Sequence, residues 1–187
     1  MEWISVQIIN HRLVQARQSG SPNYNERPTG AVPELLVIHG ISLPPGQFGG
    51  AHIEQLFENR LDPAEHPYFA TIFELRVSSH LLIRRDGEVI QFVGFDKRAW
   101  HAGQSDYQGR QNCNDFSIGI ELEGTDDIPY EAVQYHSLAQ AIKALLEAYP
   151  SLSVQHIVGH SDIAPGRKTD PGPAFDWDRL RQLLAAE

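Results

Sequence analysis

The stretch "FSIGIELEG", residues 116–124, alternates large apolar side chains with small or acidic ones. A period of two is the signature of a half-buried β-strand, because successive side chains leave opposite faces of the backbone. Phe116, Ile118, Ile120 and Leu122 therefore share a face expected against a core, and Ser117, Gly119 and Glu121 share the other. Ser117 and Gly119 are too small to fill space, so something is expected to approach closely on that second face. Glu121, and Glu123 with the same parity, are the candidate acids there.

Working outward, "LLVIHG" (residues 35–40) is a continuous apolar run closing at His39, which suits a strand buried on both faces. "IVGH" (residues 157–160) repeats the arrangement and closes at His160. Asp86-Gly87, between Val77–Arg85 and Glu88–Val93, predicts a two-residue hairpin. Ile53, Leu56, Phe57 and Leu61 recur at helical spacing ahead of Pro63. Residues 129–149 predict the longest helix, with Val133, Leu138, Ile142 and Leu145 inward and Pro150 as its stop. Another helix is predicted from Trp177, with Asp176 as N-cap. Residues 1–18 read as a short strand or two with an exposed turn, and 21–32 as a loop. Interleaved strands and helices of this kind predict a mixed α/β fold, a central mixed β-sheet flanked by helices, as a single domain over residues 1–187.

The formal net charge is −9, which argues against a nucleic-acid or anionic-membrane surface. Cys113 is the one cysteine, so no internal disulfide forms and nothing demands an oxidising compartment. The first twenty residues lack a positive segment followed by an unbroken apolar one, and no run reaches the roughly 18–20 apolar residues of a membrane helix. These features predict a cytoplasmic protein without a membrane partner, and a monomer as the default.

Nine histidines invite the question of which share a site. His39 and His160 each sit at the mouth of a core strand, and Asp170 follows in "VGHSDIAPGRKTDPG", residues 158–172. The Gly and Pro density of that stretch predicts a loop. Two imidazoles and a carboxylate are the donor set of an open zinc site, which keeps a position for water or substrate; the same set suits iron. Glu121 near such a centre would serve as general base, with Glu123 as its competitor. An extended backbone would carry Lys168 in the same direction as Asp170, where an ammonium could stabilise an oxyanion. The plainer alternatives are hydrogen-bonded strand-end histidines, solvated acids and an exposed lysine.

"SPNYNERP", "LLVIHGISLPPGQFG", "RLDPAEHPYF", "SSHLLIRRDGEVIQFV", "RAWHAG", "CNDFSIGIELEGTD" and "GHSDIAPGRKTDPGPAFDW" occur in order from Ser21 to Trp177. Together they resemble the AmpD family of N-acetyl-anhydromuramyl-L-alanine amidases, within the type 2 amidase and peptidoglycan-recognition superfamily. The resemblance implies that fold, one zinc per chain on His39, His160 and Asp170, and catalysis by Glu121 and Lys168. It places Tyr68 near the metal and Arg76, Trp100 and Arg167 along a substrate groove, with His101 in a pocket wall. The implied substrate is a small muropeptide, cut between (1,6-anhydro-)N-acetylmuramic acid and L-alanine in cytoplasmic recycling of wall fragments. Gly40 departs from the Asn common in relatives, and Asn112 from a basic residue before the cysteine. A non-catalytic wall-fragment binder and a periplasmic amidase acting on intact wall are the alternative readings.

Overall fold

The computed structural model describes residues 6–186; the start of the segment read as residues 1–18 lies outside them. Among the described residues six strands form one sheet: β1 (Arg17–Gln18), β2 (Leu35–Ile41), β3 (Leu81–Ile83), β4 (Val89–Gln91), β5 (Ser117–Glu123) and β6 (Ile157–Gly159). Their spatial order is β6-β2-β5-β3-β4-β1. Every neighbouring pair is parallel except β3 with β4, so the sheet is mixed. The helices are α1 (His52–Phe57), α2 (Phe69–Ile72), α3 (Ala132–Ala148), α4 (His160–Ile163) and α5 (Trp177–Ala185). No helix of the described residues is long and apolar enough to cross a membrane.

The alternation in β5 does what it predicts. Ile118, Ile120 and Leu122 join Leu36, Ile38, Leu81 and Ile83 against Leu138, Ile142 and Leu145 of α3 and Leu180 of α5. Each fully buried aliphatic side chain there contributes about 1.5–3 kcal/mol through the area it removes from water. The other face is covered in two patches. Leu82, Ile90 and Phe92 pack on Ile53, Leu56 and Phe57 of α1, and Leu35 and Val37 pack on Ala102, Cys113, Phe116 and Ile163. Between those patches the face carries polar groups, because register sets His39 beside Glu121 and Val37 beside Gly119.

Several local expectations change. Phe116 lies outside β5 and packs with Ile163 rather than with Ile118. The hairpin loop has three residues: the amide of Arg84 donates to the Glu88 carbonyl and that of Gly87 to the Arg84 carbonyl. Only Gly87, at φ +88°, has the left-handed backbone, whereas a two-residue turn of type I′ needs it at both positions. Val133, expected inward on α3, is 42% exposed, and Tyr135 two residues later takes the buried position. Tyr24–Glu26, within the expected loop, pairs with Lys97–Ala99. Asp176 does cap α5, accepting from the Arg179 amide at 2.9 Å.

Candidate metal centre

β2 does not close at His39, as expected, but runs on to Ile41 because Gly40 and Ile41 still pair with β5. His39 is buried within it at 1% exposure, and His160, directly after the adjacent β6, at 3%. The Gly and Pro content of residues 158–172 did not keep His160 in a loop. It opens the single turn α4, because Asp162 Oδ2 turns back to accept from the Gly159 amide at 2.7 Å. Asp170 returns to the same place; its carbonyl accepts from the Ser161 amide at 3.0 Å, which ties the loop back to α4.

The three side chains meet. His39 Nδ1 and His160 Nδ1 stand 2.9 Å apart, and Asp170 Oδ2 lies 3.2 Å from the first and 3.1 Å from the second. His160 Nε2 faces the Ala102 carbonyl at 3.1 Å, which can only accept, so its proton sits on Nε2 and its Nδ1 is a bare lone pair. Burial lowers the His39 pKa to about 4, against a hydrogen bond to Asp170 that favours the cation. Burial alone would raise the Asp170 carboxyl, but its contacts with the His160 and His39 imidazoles hold it well below the ordinary carboxylate range. Bare donors crowded at about 3 Å repel unless a cation sits among them. A tetrahedral ion with bonds of about 2.0–2.1 Å separates its ligand atoms by about 3.3 Å, close to the triangle observed. His39, His160 and Asp170 thus form a group close enough to hold a metal ion.

Glu121 stands beside His39 across the β5–β2 pair, is 9% exposed, and its Oε2 has no hydrogen-bond partner. Burial first, then the negative charge of Asp170, pushes its pKa well above the usual carboxylate value, with Lys168 pulling the other way. Glu123 shares the parity but not the situation. It accepts from the Gly49 amide at 2.6 Å and the Arg85 amide at 3.2 Å, with Arg84 at 3.7 Å. Glu123 is therefore a brace for the loops around Gly49 and Arg85, whereas Glu121 Oε2 has no such partner.

Lys168 is exposed and its charge reaches both Glu121 and His39. Arg167 Nη2 is spent on the carbonyls of Ala102 at 2.7 Å and Gln104 at 2.6 Å, so it ties down the loop that also serves His160. Trp100 is half-buried and its indole N–H donates to Asn25 Oδ1 at 2.8 Å. Tyr68 is exposed at 40% at the start of α2. Arg76, also exposed, bonds the Phe73 and Leu75 carbonyls of its own segment. These last two are brought to the surface around α2 without a hydrogen bond to the buried trio.

What sequence reasoning missed is the partner of His101: His101 is 8% exposed and lies against His39. His101 Nδ1 is 2.9 Å from His39 Nε2, and His101 Nε2 is 3.0 Å from Ser117 Oγ. Its ring occupies the space above Gly119, where an added Cβ would stand 2.4 Å from His101 Cγ. The close approach expected from the small residues Ser117 and Gly119 is this imidazole.

Gly40 also has a spatial reason. A Cβ there would stand 2.3 Å from the Tyr130 hydroxyl, which donates to the Pro171 carbonyl at 3.0 Å. Tyr130 thus fills the space that a side chain at position 40 would take, and holds the residue after Asp170.

The profile of the N-acetylmuramoyl-L-alanine amidase family matches residues 29–173. The 1,6-anhydro-N-acetylmuramyl-L-alanine amidase AmpD of Escherichia coli (strain K12) is 60% identical over 175 residues, 94% of this chain and 95% of that protein. The crystal structure of a selenomethionine AmpD derivative superposes with a TM-score of 0.93 at 58% identity, over 95% of this chain and 98% of that one. AmpDh3 from Pseudomonas aeruginosa, solved in complex with anhydromuramic pentapeptide, gives 0.63 at 29% identity, over 88% of this chain and 66% of that one. With a largely buried His-His-Asp group on a six-stranded mixed sheet and these relatives along nearly its whole length, the chain belongs to the N-acetylmuramoyl-L-alanine amidase family.

Proposed function

We propose that this protein hydrolyses the amide between the lactyl group of 1,6-anhydro-N-acetylmuramic acid and the L-alanine of a stem peptide, with one zinc ion held by His39, His160 and Asp170. The observation that carries the reading is the convergence of three lone-pair donors within 3.2 Å beside a buried carboxyl whose Oε2 is unpartnered. The names of the E. coli relative and of the ligand bound to the Pseudomonas protein support the choice of bond and sugar.

An amide is a weak electrophile with a poor leaving group, so carbonyl, nucleophile and departing nitrogen all need help. Zinc, when bound, supplies Lewis acidity that polarises the carbonyl and makes water a competent nucleophile near neutral pH. Glu121 takes a proton from the attacking water, and its buried, unpartnered Oε2 beside His39 suits it to that task. The same carboxyl then delivers the proton to the alanine nitrogen as the C–N bond breaks. Lys168 places an ammonium where charge develops on the carbonyl oxygen. Trp100 and Arg167 flank the loop over the trio, and Tyr68 and Arg76 lie on the segment around α2; these four contact the sugar and the peptide. The reading includes one domain, a monomer and a cytoplasmic location, which sedimentation and cell fractionation test directly.

The decisive assay incubates zinc-loaded protein with anhydromuropeptide in ¹⁸O-water and identifies products by mass spectrometry. The reading requires anhydro-N-acetylmuramic acid labelled in its lactyl carboxyl, together with an unlabelled peptide that begins with L-alanine. Cleavage at any other bond, or none, contradicts it.

A further inference from the structure

We propose that His101 and Ser117 form a buried hydrogen-bond relay that holds His39 in the tautomer presenting Nδ1 to the metal, which makes His101 a positioning residue. The inference rests on the metal-centre reading above and extends it to two buried side chains outside the ligand trio.

A neutral imidazole carries one N–H, and a ligand nitrogen must offer its lone pair, so His39 coordinating through Nδ1 carries its proton on Nε2. That N–H points at His101 Nδ1, 2.9 Å away, which must therefore accept. With its Nδ1 accepting, His101 carries its own proton on Nε2 and donates it to Ser117 Oγ at 3.0 Å. One assignment satisfies every position. The reverse order would put a proton on His39 Nδ1, against His160 Nδ1 and Asp170 Oδ2, and would remove the ligand.

The fold holds this relay rigidly. The amides of His101 and Ala102 both donate to Asn114 Oδ1, at 3.1 and 2.8 Å, so the backbone beneath the ring is anchored. Gly119 leaves the ring its berth, and the His39 and His101 rings meet edge to face with centroids 5.0 Å apart. His160 achieves the same end with a backbone carbonyl, that of Ala102, the residue next to His101. One short segment thus orients both imidazole ligands. Partners behind a metal-bound histidine typically change metal affinity by 10–100-fold when lost.

Two measurements test the relay. Long-range ¹H–¹⁵N correlation spectra of the zinc-loaded wild-type protein read both tautomers directly. Protons on Nε2 of both His39 and His101 are expected, and a proton on His101 Nδ1 overturns the proposal. Competition with a chromophoric chelator then compares zinc affinities of folded variants. His101→Leu is expected to bind zinc 10–100-fold more weakly, and Ser117→Ala to lose less. His101→Asn, which keeps an acceptor near the Nδ1 position, is expected to recover part of the loss. Zinc binding by wild type with equal affinity in His101→Leu overturns the relay alone. A wild-type protein that binds no zinc overturns the metal centre together with the relay.

Discussion

Replacing Gly119 by alanine adds one methyl group at the point where three layers of the site touch. Its Cβ would stand 2.4, 2.6 and 2.7 Å from His101 Cγ, Nδ1 and Cδ2, against the 3.4 Å at which ordinary contact begins. The ring must therefore retreat by about 1 Å, since Gly119 lies in a central strand that cannot yield. A shift of that size is large enough to spoil the geometry of the 2.9 Å contact with His39 and the 3.0 Å contact with Ser117. Overpacking of this kind costs about 1–3 kcal/mol of stability. Loss of the partner behind His39 should weaken zinc binding by about 10–100-fold. Urea unfolding of the metal-free variant measures the first effect and chelator competition the second. Gly20→Ala is the control, because nothing lies within 4 Å of a Cβ there. If Gly119→Ala matched wild type in both unfolding midpoint and zinc affinity, the account of the face beneath the metal would be wrong.

Glu121→Gln should keep stoichiometric zinc while kcat falls by at least about 100-fold, whereas Glu123→Gln should act on the urea midpoint instead, by about 1–3 kcal/mol. Gly40→Ala and Tyr130→Phe should each destabilise, yet the double variant should cost less than their sum, because deleting the hydroxyl removes the 2.3 Å clash; strict additivity in a double-mutant cycle would contradict the shared space. His80 gives a pH dependence. Burial first, then the charge of Arg27, lowers its pKa to about 3, so the unfolded chain binds a proton before the folded one as acid is added. Its contribution is complete above about pH 6.5 and is lost as pH falls toward 3, so Tm of His80→Asn should fall less steeply between pH 6.5 and 4 than that of wild type.

The parts of the fold that follow local rules were legible. Continuous apolar runs marked β2 and β6, alternation marked β5, and the Asp176 cap marked α5. Local rules also chose His39 and His160 as residues at strand mouths, and their distance in sequence is bridged by the β6–β2 pair. What stayed hidden depends on partners far along the chain. Glu121 and Glu123 have one parity and one neighbourhood in sequence; only the Gly49 and Arg85 amides, brought from other loops, tell the brace from the free acid. Ser117 and Gly119 announced a close approach, but His101 comes from a segment without periodicity, so nothing local could name it. The turn at α4 was concealed in the same way, since a Gly- and Pro-rich stretch became helical once Asp162 capped it. Position 40 is intelligible only with Tyr130 in view.

Anomalous diffraction at the zinc edge, from crystals grown with one equivalent of zinc, addresses the central claim most directly. The account predicts a single strong peak bonded to His39 Nδ1, His160 Nδ1 and Asp170 Oδ2, with the Glu121 carboxyl facing it. A peak bound elsewhere, or ligation of that ion through the Nε2 of His39 with Nδ1 turned away, would contradict the account.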